Sequence, residues 1–377
     1  MAIKITRGAG DQPPAPEKAA SPGVREISVP IDVGMYDTVS VIDALEYRYP
    51  IPSFIKDTFF AGRDYIASDV VQIDVRKGGK QLAPFILPME GQVIGRRRPF
   101  MRTMLEAPAI APARVITLRE ISKPWWGENT YDFYTPEQRL ANMMADDIQD
   151  MDEEITRTEE WMCCQCMFLG QIPIHYRTQT DVILDYGFTN ITAVALPWTD
   201  PTALPLDDLH AAQQGMNANG YSGNIAIYGT EAWKALWNNP SVKDTLKNLS
   251  GWVPMTGGYN MPELLPAGVA VCPAFTYPVM KNYIYAGTYV VAEGGPAVPL
   301  VPPDRVLIGS SDTKNRLIYA MVSQIEQTDG KFHSYMSDRV PKYESNVNKN
   351  LIMNTLTSRP VPVPIDLLSW TVLTGVV

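Results

Sequence analysis

Apolar residues recur at Leu140, Met144, Ile148, Met151, Ile155, Met162 and Leu169, and Asp146, Asp147, Asp150, Asp152, Glu153, Glu154 and Arg157 fill most of the positions between them. Intervals of three, four and seven residues keep side chains on one stripe of a 3.6-residue period, so the pattern predicts one amphipathic helix from Thr135 to Leu169. Its ends are specified too. Thr135 is placed to cap it, Pro136 stands at the first helical position where a missing N–H costs nothing, and Gln138 sits where a capping box wants Glu or Gln. Gly170 and Pro173 are the expected stop. At ~1.5 Å per residue such a helix spans ~50 Å, about the width of a small domain.

Before it lies a β-rich excursion from Ser68 to Leu118. Val70, Ile73 and Val75 alternate loosely with Gln72, Asp74 and Arg76, Lys77 to Lys80 supply a turn, and a second extended run covers Leu82 to Met89. Gly91, Gly95, Pro99, Pro108 and Pro112 then interrupt regular pairing before a strand at Val115 to Leu118. An extended ribbon with so little core of its own is an aggregation liability unless something covers it. A long helix beside an uncovered ribbon is the layout of a part tiled against copies of itself.

The rest of the chain alternates short strands and helices. Strands are predicted at Val182 to Leu184, Ile191 to Ala195 and Asn224 to Tyr228, with a helix from Leu206 to Asn217 stopping near Gly220. Thr230 is the expected N-cap of a helix through Trp237, and Pro240 separates it from another helix, Ser241 to Leu249. Further strands fall at Val269 to Val271, Tyr283 to Tyr285, Tyr289 to Val291, Arg305 to Ile308, Leu317 to Val322, Ile352 to Leu356 and Leu368 to Val376. Arg359 to Pro364 reads as an extended Pro-rich connector. Residues Gly8 to Gly23 contain Pro13, Pro14, Pro16 and Pro22, which suits either a disordered tail or an arm that orders on a neighbour. Between Ile27 and Phe60 short apolar clusters read as small elements packed on a larger body.

Composition narrows the function classes. At 377 residues the chain exceeds one compact core, so two or three lobes are expected. A formal charge of −9 argues against a broad basic face that would hold nucleic acid through its phosphates. The N-terminus has no apolar stretch of signal-peptide length and no later run approaches the ~20 residues of a membrane span, so residence in the cytosol is expected. Cys163, Cys164 and Cys166 fall within the predicted helix and Cys272 is remote, which predicts reduced thiols and no disulfide framework.

Catalytic and cofactor chemistry is weakly represented. His175, His210 and His333 are far apart with no second His or Cys at metal-ligand spacing, and no H-E-x-x-H, phosphate loop, nucleophile elbow or dinucleotide fingerprint is present. No cofactor or metal is therefore expected. Cys163 and Cys166 could offer two zinc ligands, but no second pair completes a tetrahedron, and core packing accounts for them. The acids Asp146, Asp147, Asp150, Asp152, Glu153 and Glu154 could be paired carboxylates of a hydrolase, yet one helix face rarely supplies both sides of a cleft. A solvated face, or one that meets cations of a neighbouring subunit, explains them better. Arg96, Arg97 and Arg98, three adjacent cations between Gly95 and Pro99, need either solvent or an external anion. The expected inter-subunit contact joins them to Asp146, Asp147, Asp150, Glu153 and Glu154 of an adjacent copy.

Several segments together carry a resemblance. They are Ser68-Asp69-Val70-Val71-Gln72-Ile73-Asp74 with Pro84 and Pro88, Tyr134-Thr135-Pro136, Ile227 to Leu236 with Val242, Lys243 and Leu246, Arg339-Val340-Pro341-Lys342, and Ser358-Arg359-Pro360-Val361-Pro362. In this order and spacing the chain beyond about residue 30 resembles tailed-phage major capsid proteins of the HK97-type fold, more narrowly the lambda-like major capsid protein E family. The resemblance implies an α+β fold with an N-terminal arm and packing elements at 1–66, an extended E-loop at 67–119, a peripheral domain at 120–222 containing the spine helix 135–169, an axial α/β domain at 223–308, and return strands at 309–377. It also implies a non-enzymatic shell subunit forming hexamers and pentamers of an icosahedral head. Its partners would be a portal, with scaffold and decoration proteins, and packaged double-stranded DNA touched weakly and without sequence specificity. No membrane is implied, and the location is the virion, assembled in the host cytoplasm. An encapsulin-like shell for protein cargo is the alternative. The Pro-rich N-terminal extension is longer than the lambda-like pattern.

Overall fold

A computed structural model describes residues 53–75, 101–123, 135–174, 182–187, 190–249, 268–272, 278–291, 295–327 and 329–377. The amphipathic pattern becomes a single helix, Pro136–Leu169, referred to below as the spine. Thr135 Oγ1 accepts from the Gln138 N–H at 3.2 Å and the Gln138 side chain accepts from the Thr135 N–H at 3.0 Å, the reciprocal box that the sequence specifies. Gly170 ends the helix in the left-handed region (φ 68°), its N–H donating to the Cys166 carbonyl. Leu140, Met144, Ile148, Met151, Ile155 and Met162 are buried as the stripe requires. The last third departs from the simple stripe. Glu159, Glu160, Cys163, Cys164, Met167 and Phe168 are buried too, because elements cover the helix there on more than one side.

A six-stranded sheet forms the second body. Its strand order is Ile191–Ala193, Trp370–Thr374, Val306–Gly309, Ile225–Tyr228, Lys281–Tyr285, Val269–Cys272. The two central strands, Ile225–Tyr228 and Val306–Gly309, are buried on both faces, and alternation sorts their side chains. Ile225, Ile227 and Leu307 join the core shared with the C-terminal third of the spine and the short helix Phe54–Phe59. Ala226, Tyr228, Val306 and Ile308 join the opposite core, under the helices Pro205–Ala218, Thr230–Asn238 and Pro240–Leu249.

Two three-stranded sheets lie along the spine. One pairs Gly62–Ile66, Arg316–Ala320 and Pro360–Val363; the other pairs Val340–Asn346, Leu351–Thr357 and Ala113–Thr117. Val70–Val75 and Met101–Glu106 pair antiparallel, from Val70 opposite Glu106 to Val75 opposite Met101, and so close the base of the excursion. The turn at Lys77 to Lys80 and the run Leu82 to Met89 lie outside the described residues.

Four expectations need correction. The Pro-rich connector is a buried strand, Pro360–Val363, at the edge of its sheet, where alternate prolines can keep their missing N–H groups on the side away from the partner strand. Thr230 is not a cap but the first helical residue. Gly229 takes the cap position, and the N–H groups of Glu231 and Ala232 donate to the Pro303 carbonyl at 3.1 and 2.9 Å, so a distant loop does the capping. Leu118 leaves the strand and opens a one-turn helix, Leu118–Ile121, capped by Thr117 and Glu120. The helix after Pro240 includes that proline as its first residue. The hairpin Val322–Ile325 with Phe332–Tyr335 and the strand Val340–Asn346 carry no strong alternation and were not expected. Among the described residues, no helix is long and apolar enough to cross a membrane.

Candidate functional site

The spine carries acids of two kinds. Glu159 lies one turn after Ile155 and three residues before Met162, so it belongs to the apolar stripe and goes inside when the stripe packs. It is fully buried and accepts from Lys56 Nζ at 3.0 Å, Arg339 Nη1 at 2.6 Å and the Tyr319 hydroxyl at 3.1 Å. Arg339 also donates through Nε to Asp152 at 2.6 Å and through Nη2 to Thr156 Oγ1 at 3.0 Å, so one guanidinium spans two turns of the helix. Next to it Glu160 accepts from the N–H groups of Ile55 and Lys56 at 2.9 and 2.8 Å and from the Tyr285 hydroxyl at 3.0 Å. Two adjacent carboxyls thus hold the Phe54–Phe59 helix, the strands carrying Tyr319 and Tyr285, and the turn before Val340 onto one stretch of spine.

Their electrostatics have opposite signs. Burial raises the Glu159 carboxyl, but Arg339 and Lys56 outweigh it and hold the group below the usual carboxylate range. Burial also raises Glu160, and there the backbone N–H groups and Tyr285 oppose the rise without cancelling it. The network is an anchorage for charges out of water, and a broken leg of such a network costs ~3–5 kcal/mol.

The acidic ridge toward the helix N-terminus is where the sequence placed the contact between copies. Glu154 pairs with Arg114 and Glu153 with Arg157 one turn on, at 2.7 Å, so both already have partners within the chain. Asp146 and Asp147 are half-buried and Asp150 is exposed. Burial raises the Asp147 carboxyl; Arg114 pulls it down, and Asp150 and Asp146 push it further up. Arg96, Arg97 and Arg98 lie outside the described residues, as do the Pro-rich N-terminal segment Gly8 to Gly23 and His175.

The four cysteines are buried free thiols. Cys163 and Cys166 pack in the main core as anticipated, and burial pushes the Cys272 thiol up to about 11. A cavity of about 590 Å³ between the Pro205–Ala218 helix and the edge strand Ile191–Ala193 has Asp208 as its one lining carboxylate, and that group accepts from Trp198 Nε1 at 2.9 Å. An exposed trio, Glu326, Asp329 and His333, brings one ligand atom each within 4.8 Å of the others, with His333 Nε2 at 2.8 Å from Asp329. These residues were not linked in the sequence because a hairpin turn brings them together.

The spine packs against both three-stranded sheets and the six-stranded sheet, and the family model described as phage major capsid protein E matches residues 37–366. The chain belongs to this family. It is a capsid protein of the bacteriophage head shell, with the HK97-type fold. Among solved structures, a capsid protein of a prophage of E. coli CFT073 superposes with a TM-score of 0.59 at 15% identity, covering 91% of this chain and 98% of that one. A phage-related protein from Bordetella bronchiseptica RB50 gives 0.49 at 11% identity (90% and 97% covered), and the capsid of a native GTA particle 0.44 at 12% (87% and 92%). No curated protein matches the chain. In this family member, the anchoring residues that the sequence reading did not single out are Lys56, Glu159, Glu160 and Arg339. Glu159 left a signal, since it interrupts an apolar stripe, whereas Lys56 and Arg339 are brought to it from over a hundred residues away in each direction.

Proposed function

We propose that this phage major capsid protein E chain assembles into hexamers and pentamers that close an icosahedral head of a tailed phage around double-stranded DNA, acting mechanically and not as an enzyme. The match to the family over residues 37–366 carries this reading. The subunit divides into an N-terminal arm with short packing elements at 1–66, an E-loop at 67–119, a peripheral domain at 120–222 and 309–377, and an axial domain at 223–308. Ring contacts are heterologous, with closure set by the rotation at each interface. Each E-loop lies over the next subunit's spine and brings Arg96, Arg97 and Arg98 to its ridge. Asp146, Asp147, Asp150, Glu153 and Glu154 are the acids that receive them, with Glu153 and Glu154 also paired to Arg157 and Arg114 of their own chain. A net charge of −9 favours DNA that slides during packaging over DNA that adheres. A portal is the further partner, the virion is the destination, and assembly takes place in the host cytoplasm.

Negative-stain microscopy of the expressed chain, alone and with the triple Arg96→Ala, Arg97→Ala, Arg98→Ala variant, tests this. Wild-type chain is expected to form rings or shells, and the variant to stay folded but assemble poorly. A chain that remains a single-copy globule at every concentration overturns the shell reading, and shells at full yield from the variant overturn the contact. Particles loaded with an enzyme in place of DNA would favour a cargo compartment.

A further inference from the structure

The strand Leu351–Thr357 turns Ile352, Asn354 and Leu356 inward. Ile352 packs with Ile116, Leu140, Met143 and Met144, and Leu356 with Ile148, Met151 and Ile155, so the contact between spine and sheet consists of two separate apolar clusters. Asn354 stands between them. It is 3% exposed, and among the described residues neither its amide nitrogen nor its amide oxygen has a hydrogen-bond partner. A buried amide left without partners costs stability, so its presence at the centre of the seam calls for a reason.

The register supplies one. Asn354 lies opposite Arg114 on one side and Tyr343 on the other, a row flanked by that of Ile352 and Ile116, against whose cluster Tyr343 packs, and by that of Leu356. The spine meets this row at its acidic stretch, where Arg114 pairs with Glu154. On the helix side Met143, Met144 and Met151 supply much of the apolar surface, and unbranched Met side chains adapt to more than one packing. Sliding the sheet by two residues, ~6.6 Å, would keep the same faces inward. With an apolar residue at 354 the slipped seam would present the same kind of surface to the methionines. With Asn, one cluster loses its Ile or Leu to an amide, and Arg114 leaves Glu154.

We propose that Asn354 holds the spine helix and the Val340–Asn346, Leu351–Thr357, Ala113–Thr117 sheet in a single register, at a cost in stability. The idea concerns the subunit itself and does not depend on shell assembly. It is tested on unassembled full-length chain carrying Asn354→Leu and, as a smaller replacement, Asn354→Val, by urea unfolding and by methyl spectra of labelled methionine. The expected result is a urea midpoint raised by roughly 0.5 M in at least one variant. Extra methyl resonances should appear for Met143, Met144 and Met151, while Met216 and Met280 in the distant core stay single. A lowered midpoint in both variants would show that the amide is satisfied and overturn the proposal. So would a raised midpoint with one resonance per methionine, since stability would then have been gained with no loss of uniqueness.

Discussion

Replacing Arg339 by Met keeps most of the side-chain stem and removes the charge, which isolates what the guanidinium contributes to the buried network. Glu159 would lose the 2.6 Å bond from Nη1 but keep Lys56 at 3.0 Å and Tyr319 at 3.1 Å, and Asp152, which is 24% exposed, could turn to water. The loss therefore falls at the low end of the ~3–5 kcal/mol seen when one partner of a buried ion pair is removed, about 3 kcal/mol. That is a factor of about 100 in the folded-to-unfolded ratio. With a urea slope of about 3 kcal/mol/M the midpoint should drop by about 1 M. The assay is urea unfolding of unassembled subunits followed by tryptophan fluorescence, with Arg63→Ala as control. Arg63 pairs with Asp338 at 3.3 Å on the surface and should cost no more than about 1 kcal/mol. Arg339→Lys retains the charge but cannot fork between Asp152 and Glu159, so it should fall between Arg339→Met and wild type. If Arg339→Met matches the Arg63 control, the network is not an anchorage and the reasoning fails.

Other consequences follow from the same geometry. Glu159 is held below the usual carboxylate range, so its contribution is present above the unfolded pKa of about 4.3 and is lost as pH falls through its lowered folded value. Glu160 is raised, so its contribution has the opposite sign, present below the unfolded pKa and lost as pH rises through the folded value. The urea midpoint of Glu159→Gln should accordingly change less than wild type between pH 7 and strong acid, and the same change in both proteins would contradict the assignment. Gly229→Ala should destabilise by about 1–3 kcal/mol or more, because a Cβ there would lie 2.4 Å from the Pro302 carbonyl oxygen and 2.5 Å from that of Pro303. Gly215→Ala has the opposite expected sign: the added Cβ meets nothing within 4 Å inside a helix, and a gain of about 0.5–1 kcal/mol should appear as a raised melting temperature.

Local chemistry makes much of this protein legible in its sequence. The spine's length, its Thr135 and Gln138 box, its Gly170 stop and its apolar stripe are all short-range features that a sequence states directly, and so are the buried strands Ile225–Tyr228 and Val306–Gly309. The ordered segments that resemble major capsid protein E were likewise readable one after another along the chain. What the tertiary structure alone decided are matters of long-range pairing. A Pro-rich run became a strand because an edge was free for it, and a helix lost its threonine cap to a carbonyl over 70 residues away. Two glutamates of the spine went inside because distant groups meet them there, Lys56, Arg339 and Tyr319 at Glu159, and the Ile55 and Lys56 N–H groups with Tyr285 at Glu160. Asn354 looks like any polar residue in a strand until the spine closes over it. Periodicity reports which face of an element is apolar, but which charges are buried, and against what, depends on partners that only the folded chain brings together.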